Sequence, residues 1–189
     1  MSTSTTQPII ETPTHIVRRH LHSDAGSLTR SLDDHEITRW MTDRIAFPYT
    51  LDLAHEFIHH LDSQPEPRVD FVVVDKSTGD AVGGVGLKMN TDVHRRTVEL
   101  GYWLARQSWG QGIMSTLVPR FLKWTFEQFP EVNRVEAQVF EGNEASTKVL
   151  EKQGFRQEGV LRGKVWKEGK VMDLYIFGLL RDDFQVGSG

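Results

Sequence analysis

The 189-residue chain contains no cysteine, which excludes disulfides, thiolate metal sites and a cysteine nucleophile. It also lacks an apolar run of the roughly 20 residues that a membrane-spanning helix needs. Nor does it carry the basic excess of a nucleic-acid-binding domain, because its formal net charge is −4. We therefore expect a cytoplasmic protein that binds neither a membrane nor nucleic acid.

The length predicts one domain, flanked by two short tails. Residues 1–13 are rich in Ser and Thr but have neither a basic residue nor an apolar segment, so they predict a flexible tail rather than a targeting peptide. Residues 14–184 contain every regular apolar pattern of the chain, and residues 185–189 predict a second tail. We find no internal repeat.

Apolar periodicity predicts a mixed sheet that helices cover, of the α/β (α+β) class. The longest helical pattern carries one apolar stripe, which Pro119 should kink; the stripe is formed by Ile113, Leu117, Phe121 and Trp124. Predicted strands lie at 14–23, 69–75, 81–89, 97–105, 134–140, 155–165 and 171–180, and predicted helices at 27–42, 51–62, 110–128 and 145–153.

The segment ELGYWLARQSWGQG, residues 99–112, joins the end of a predicted strand to the start of the longest helix. Gly110 and Gly112 allow the backbone to approach a bound group closely. The first N–H groups of a helix lack partners, and together with the helix dipole they suit a pyrophosphate. The alternative is a tight turn that needs glycine for its geometry alone.

A second pattern, HEFIHH at residues 55–60, has the H-E-x-x-H spacing of zinc hydrolases. On a helical wheel the apolar stripe of Leu51, Ala54, Ile58 and Leu61 faces the core, and the histidines fall on its flank or opposite side. The further glycine and histidine of one zinc-protease class are also missing, since Asp62 and Pro65 occupy those positions. We therefore expect no metal site and keep the zinc hydrolase only as an alternative.

The segment ELGYWLARQSWGQGI, followed by NEASTKVLEKQGFRQEGVLR at residues 143–162, resembles the GNAT N-acetyltransferases. The branch that it resembles most is the RimJ/RimL type, which acetylates the N-termini of ribosomal proteins. The resemblance extends over about residues 14–184, with the motifs in the family's order. It implies the GNAT fold: a mixed, mostly antiparallel sheet of about six to seven strands with flanking helices and a splayed, bulged strand pair that binds acetyl-CoA.

Cofactor-binding residues follow from this resemblance. Backbone groups of Trp103, Leu104 and Ala105 would bind the pantetheine arm of acetyl-CoA. The pyrophosphate would lie against the loop and the first helical turn, at Gln107, Trp109, Gly110, Gln111, Gly112, Ile113 and Met114. Asn143 and Ser146 match the family's later Asn-x-x-Ser motif and would lie near the cofactor, with Asn143 the better candidate for a helix cap.

The resemblance also suggests the catalytic groups and the acceptor. Ser146 stands where some relatives donate a proton to the leaving thiolate, although a first-turn hydroxyl explains it equally well. Glu99 stands where some carry a general base, although it could be a surface charge. The acceptor would be a protein N-terminus or a small amine, and the enzyme a monomer or a homodimer.

Four residues are candidates for contact with the acceptor, each with a structural alternative. Trp40 and Tyr49 could be core residues, His94 an exposed loop residue, and Glu136 the ion-pair partner of Arg134. A protein that binds acyl-CoA without turnover is a further alternative.

Overall fold

A computed structural model describes residues 7–184 of the chain. The strands are Ile10–Glu11 (β1), His15–Arg18 (β2), Asp70–Asp75 (β3), Ala81–Met89 (β4), Thr97–Leu104 (β5), Arg134–Phe140 (β6), Arg156–Lys167 (β7) and Lys170–Leu180 (β8). In this part of the chain eight strands form a sheet, one more than the upper end of the predicted range, in the order β1-β2-β3-β4-β5-β6-β8-β7. The pairing of β5 with β6 is parallel, and the pairings β1–β2, β2–β3, β3–β4, β6–β8 and β7–β8 are antiparallel. This is the mixed, mostly antiparallel sheet with flanking helices that the resemblance implies.

The helices are Ala25–Leu32 (α1), His35–Thr38 (α2), Leu51–Ser63 (α3), Ile113–Gln128 (α4) and Glu144–Lys152 (α5). Within residues 7–184, no helix has both the length and the apolarity to cross a bilayer.

The predictions for the N-terminal tail and for residues 27–42 differ from the structure. Strand β1 lies inside the segment assigned to the N-terminal tail, because Ile10 is buried and pairs with Val17 of β2. The predicted helix over residues 27–42 is instead two short helices. Asp33 ends α1, and the Asp34 carboxylate accepts a hydrogen bond from the N–H of Glu36, which caps α2 and starts a new helix. The outer residues of the predicted tails, 1–6 and 185–189, lie outside the described residues.

The chain divides into two compact units, and the first contains residues up to Gly86 together with Tyr102–Trp109. Helices α1 and α3 bury residues such as Leu28 and Ile58 with Val72 of β3 in one core cluster. The predicted stripe of α3 is right for Ala54 and Ile58 but wrong for Leu51, which is 48% exposed in the first turn of the helix.

The second unit contains Leu87–Gly101 and the residues from Gly110 onward. Its strand order is β5-β6-β8-β7, and the fully buried Phe121 of α4 and Phe177 of β8 lie in its core. Helix α4 runs unbroken from Ile113 to Gln128 with Pro119 inside it. Ile113, Leu117 and Phe121 are buried as the predicted stripe requires.

Candidate functional site

The segment after β5 is held by three hydrogen bonds within the first unit. The N–H of Ala105 donates to the carbonyl of Val82 at 2.7 Å. A short 3-10 turn follows at Arg106–Ser108, in which the N–H of Ser108 donates to the carbonyl of Ala105 at 2.9 Å. The indole Nε1 of Trp109 donates to the carbonyl of Leu104 at 2.7 Å. These bonds fix the path of the chain from the end of β5 to Trp109.

Gly110 and Gly112 both adopt the left-handed conformation, with φ of 74° and 73°. Residues with a Cβ rarely adopt this conformation, so the turn requires glycine. Apart from the adjacent residues in the chain, no heavy atom of the described residues lies within 4 Å of the position of a Cβ at either glycine, so the space beside both is open. The local shape therefore leaves room for a group against the backbone.

Gly112 is also the N-cap residue of the 16-residue helix α4, and as a glycine it has no side chain of its own to cap this end. The backbone bond from the N–H of Thr116 to the Gly112 carbonyl, 3.1 Å long, is the first of the helix. The N–H groups before Thr116 lie outside the α-helical pattern, at the positive end of the helix dipole. An open space beside such donors suits an anion.

Trp103 lies next to the core cluster of the first unit and is packed partly against it. Its indole lies over Gly84, where a Cβ would be 3.1 Å from the indole Cδ1. Of the backbone groups assigned to pantetheine by the resemblance, the Ala105 N–H and the Leu104 carbonyl are already hydrogen-bonded within the protein.

Asn143 is the N-cap residue of α5, as predicted. Its Oδ1 accepts a hydrogen bond from the N–H of Ser146 at 3.2 Å. Ser146 is half-buried in the first helical turn. The same unit contains α4, and Nε2 of Gln153, at the end of α5, donates to the carbonyl of Ser115 at 3.4 Å. The predicted Asn-x-x-Ser motif thus starts a helix that is bonded to the first turn of α4.

Glu99 lies on β5 directly opposite Glu136 of the parallel strand β6. Its carboxylate accepts a hydrogen bond from Nε2 of Gln138 at 3.3 Å and lies 3.6 Å from Nζ of Lys88. Glu136 accepts from Nε of Arg134 at 2.9 Å, the pairing foreseen as its structural alternative. The two glutamates therefore share one sheet face, and each has its own basic partner.

Arg134 of β6 links its own strand to β7 on this face. Besides Glu136, its guanidinium binds both carboxylate oxygens of Glu158 on β7. These hydrogen bonds raise the pKa of Arg134 and hold the pKa of Glu158 below its usual range. The pair passes over Gly178 of β8, where a Cβ would lie 2.5 Å from Nη2 of Arg134 and from Oε1 of Glu158. Only glycine leaves room there for the undisturbed pair.

Tyr49 is a core residue, only 3% exposed. Its N–H donates to Oδ1 of Asp33 at 3.0 Å, but its buried hydroxyl has no hydrogen-bond partner among the described residues. Burial raises the pKa of this phenol to about 12, so the hydroxyl is a neutral donor at physiological pH. A buried donor without a partner in the protein is uncommon.

The other predicted acceptor residues are more exposed. Trp40 is half-buried, and the guanidinium carbon of Arg39 lies 4.9 Å from the centre of its ring. His94 ends an exposed 3-10 turn, Asp92–His94. In the HEFIHH segment, His55, His59 and His60 are all exposed on α3. Among residues 7–184, no group of three His, Asp or Glu side chains is arranged to hold a metal ion.

Gln138 and Lys88, which contact Glu99, were not predicted from the sequence to be site residues. The available signal was the alternation along β6, where Arg134, Glu136 and Gln138 take one face while Val135, Ala137 and Val139 are buried on the other. That alternation predicts a polar face but does not say that Glu99 lies beside it.

Comparisons with known proteins identify the family. The profile of the acetyltransferase (GNAT) domain matches residues 15–156. The N-acetyltransferase p20 of Bacillus licheniformis is 31% identical over 164 residues, which are 85% of this chain and 89% of that protein. The ribosomal-protein-S5-alanine acetyltransferase of Vibrio fischeri superposes with a TM-score of 0.78 at 24% identity, covering 93% of this chain and 98% of that chain.

The spermidine N-acetyltransferase of Vibrio cholerae, solved with CoA and spermine, superposes with a TM-score of 0.74 at 22% identity. This superposition covers 89% of this chain and 96% of that chain. At these identities the two solved structures support the fold alone. The family profile spans most of the chain and includes the loop before α4 and the cap of α5. The protein is therefore a member of the GNAT family of acetyltransferases, and its activity is acyl transfer.

Proposed function

We propose that the protein transfers the acetyl group of acetyl-CoA directly to a primary amine, with the pyrophosphate of CoA held at the start of α4. The observation that carries this proposal is the pair of left-handed glycines beside an open space, at the N-terminus of a 16-residue helix whose N-cap residue is Gly112. Backbone donors at such an end bind phosphate oxygens whatever the neighbouring side chains are. Gln107, Trp109, Gln111, Ile113 and Met114 complete the proposed pyrophosphate segment.

Pantetheine would lie along the end of β5, at Trp103, Leu104 and Ala105. Because the Ala105 N–H is already bonded to Val82, we propose that the pantetheine amides use the backbone groups that remain. A carbonyl oxygen has two lone pairs, so Leu104 can accept a second hydrogen bond beside that of Trp109.

Acetyl-CoA supplies the acetyl group as an activated thioester, and the chain must handle two protons. The attacking amine has to lose one, and Glu99 is the proposed acceptor of this proton, directly or through a water molecule. Gln138 and Lys88 hold its carboxylate in one orientation. The leaving thiolate has to gain a proton, and the hydroxyl of Ser146 is the proposed donor. No covalent enzyme intermediate is needed.

For the acceptor we propose a protein or peptide N-terminal α-amine, with a small amine as the second candidate. Proteins that share this fold are named for both kinds of acceptor, a ribosomal-protein alanine and spermidine, so the fold accommodates either, and the acceptor panel described below decides between them. Tyr49 supplies a neutral hydrogen-bond donor for a bound polar group, while Trp40, His94 and Glu136 remain proposed acceptor contacts.

The pyrophosphate site is tested by Gly112→Trp, with Gly79→Trp as the matched control. Gly79 has nearly the same conformation, φ 76°, and equally open surroundings, but it lies in the turn between β3 and β4. Both variants carry the same backbone strain, so their loss of stability should be similar. We expect acetyl-CoA binding, measured by isothermal titration calorimetry, to vanish in Gly112→Trp and to persist in Gly79→Trp. Equal affinity in the two variants would refute the site.

Turnover is tested by following thiol release from acetyl-CoA with a panel of N-terminal peptides and polyamines. Release that depends on an acceptor, with the acetylated amine identified by mass spectrometry, is the expected result. Tight binding of acetyl-CoA without release for any acceptor would identify a binding protein without turnover and overturn the proposed reaction.

A further inference from the structure

Strands β5 and β6 pair over only three residues of each, and the pairing ends with Glu99 opposite Glu136. Both strands continue beyond this pair, β5 as far as Leu104 and β6 as far as Phe140. In the described part of the chain, no further residues of the two strands pair with each other. The sheet is therefore interrupted beside Glu99, between two strands that both run on.

Glu99, Gly101 and Gln138 lie on one face of the sheet at this interruption. Side chains two residues apart in a strand point the same way, so Glu99 and Gly101 share a face of β5. The register with β6 puts Gln138 on the same face, and its Nε2 reaches the carboxylate of Glu99. Leu100 and Ala137, on the opposite face, are buried, whereas Gly101 and Gln138 are exposed.

Gly101 leaves open space on this face. Apart from its neighbours in the chain, no heavy atom of the described residues lies within 4 Å of the position that a Cβ would take. Its φ also lies outside the left-handed region, so the backbone conformation does not require glycine. A glycine inside a strand weakens the strand and often marks a place where a ligand approaches closely. Neither crowding nor conformation explains Gly101, and an approaching ligand does.

The contacts of Glu99 leave one of its oxygens available. Nε2 of Gln138 and Nζ of Lys88 both lie against Oε2 of Glu99, and no hydrogen bond or ion pair with a described residue engages its Oε1. A carboxylate only accepts hydrogen bonds, so the amide of Gln138 must turn its Nε2 towards Glu99, and its carbonyl Oε1 is left as a second acceptor. Among residues 7–184 no hydrogen bond engages that Oε1 either. The site thus offers a carboxylate oxygen and an amide oxygen to one donor group.

The attacking nitrogen of a primary amine suits this pair of acceptors. Its lone pair faces the thioester carbon, one bond leads to the rest of the acceptor, and two bonds carry hydrogen. The N–C bond forms, the C–S bond breaks, and one proton passes from nitrogen to Glu99 while the thiolate takes its proton from Ser146. The other hydrogen stays on nitrogen and becomes the N–H of the amide product. It needs an acceptor that does not remove it, and a neutral amide oxygen is one.

We propose that Gln138 is a specificity residue whose Oε1 accepts the retained N–H of the acceptor amine, in the open space at Gly101. A secondary amine carries a carbon where this hydrogen lies, so it crowds Oε1 and leaves it without a donor. Gln138 therefore selects primary over secondary amines. The inference rests on the proposed acetyl transfer with Glu99 as the proton acceptor. If Gln138 only held Glu99 in place, its loss would slow all amines equally.

Selectivity is measured with two primary amines, the peptide Ala-Gly-Ser-Gly-Ser and butylamine, and with the same two molecules methylated on the amine nitrogen. Methylation leaves the nucleophilicity of the amine nearly unchanged, so a preference in kcat/KM reports on the protein. We expect the parent to prefer each primary amine roughly tenfold or more, because the methylated amine leaves a polar group of the site unpaired. Thiol release gives the rates, and mass spectrometry identifies the product.

Gln138→Met keeps the size of the side chain and removes the amide. It should lower kcat/KM for the primary amines roughly tenfold or more and bring the ratio of primary to methylated amine close to one. Gln157→Met is the matched control, because Gln157 is exposed on β7 and pairs with Phe177, on the other face of the sheet. The control should keep both the rate and the preference of the parent.

Gly101→Val fills the proposed space for the amine. It should raise KM for the primary amines roughly tenfold or more, while the dissociation constant of acetyl-CoA, measured by isothermal titration calorimetry, stays that of the parent. Gly159→Val is the matched control. Gly159 has equally open surroundings and lies outside the left-handed region, but β8 separates its strand from β6.

The outcomes separate this inference from the reaction on which it rests. A slower Gln138→Met variant that keeps the parent's preference would reduce Gln138 to a positioning residue for Glu99 and overturn the inference. A parental KM in Gly101→Val would overturn the placement of the amine. A parent that acetylates primary and methylated amines equally well refutes the inference alone, and a parent that releases no thiol with either primary amine refutes the proposed reaction as well.

Discussion

Replacing Tyr49 by Phe is expected to stabilise the protein, although most substitutions in a core destabilise it. The ring of Tyr49 is packed in the core of the first unit, and its buried hydroxyl has no partner in the described part of the chain. A buried polar group without a hydrogen bond costs about 1–3 kcal/mol relative to water. Phenylalanine keeps the ring and removes that cost, so the free energy of unfolding should rise by about 1 kcal/mol. For a chain of this size that corresponds to a melting temperature about 2–4 °C higher.

Urea unfolding followed by tryptophan fluorescence measures the change, with Tyr175→Phe as the control. Tyr175 is only partly buried, and its removal should leave the stability within about 0.5 kcal/mol of the parent. Acetyl transfer is measured on the same samples. If the Tyr49 hydroxyl donates to a bound polar group of the acceptor, Tyr49→Phe is more stable but has a lower kcat/KM. A loss of stability in Tyr49→Phe would show that the hydroxyl is satisfied, for example by a buried water, and would refute the reasoning.

Three further changes test other parts of the structure. Ser146→Ala should lower kcat about tenfold or more if the hydroxyl protonates the leaving thiolate, and an unchanged kcat would reduce Ser146 to a structural residue. Gly178→Ala should lower the free energy of unfolding by about 1 kcal/mol or less, because its Cβ displaces the ends of the partly exposed Arg134 and Glu158 side chains, whereas Gly101→Ala, with open space around it, should change it little. Burial lowers the pKa of His20 to about 4, against 6.5 when the side chain is exposed, so the unfolded chain binds more protons than the folded chain between these pH values. The free energy of unfolding should therefore fall by roughly 1 kcal/mol per pH unit as the pH drops from 6.5 to 4. His20→Leu should remove this contribution, which urea titrations at several pH values measure.

Features that depend on residues close together in the chain were predictable. Two apolar runs separated by the turn at Gly79 predict the hairpin of β3 and β4. Apolar residues spaced three and four apart predict the buried stripe of α4. Asn143 is a good N-cap by residue type alone, and the structure confirms it. The two glycines before α4 are likewise visible in the sequence, although their left-handed φ is not.

Features that depend on the pairing of distant strands were not predictable. The contact of Glu99 with Gln138 exists because β5 pairs in parallel with β6, and one sequence does not give that register. The break between α1 and α2 was missed because the apolar pattern continues through it, while two aspartates stop one helix and start the next. The absence of a hydrogen-bond partner for the Tyr49 hydroxyl among the described residues follows from how the core packs, and no pattern in the sequence predicts it.

The position of β8 between β6 and β7 has a consequence for the order in which the protein folds. During synthesis, β6 and β7 leave the ribosome before the strand that joins them, so the sheet of the second unit cannot close until Leu180 has emerged. The β7–β8 hairpin, with only Glu168 and Gly169 between its strands, is the most local pairing in that unit and can form first. Until β8 pairs with it, one edge of β6 has unpaired N–H and C=O groups that other strands can bind, so the nascent chain is exposed to aggregation during this interval.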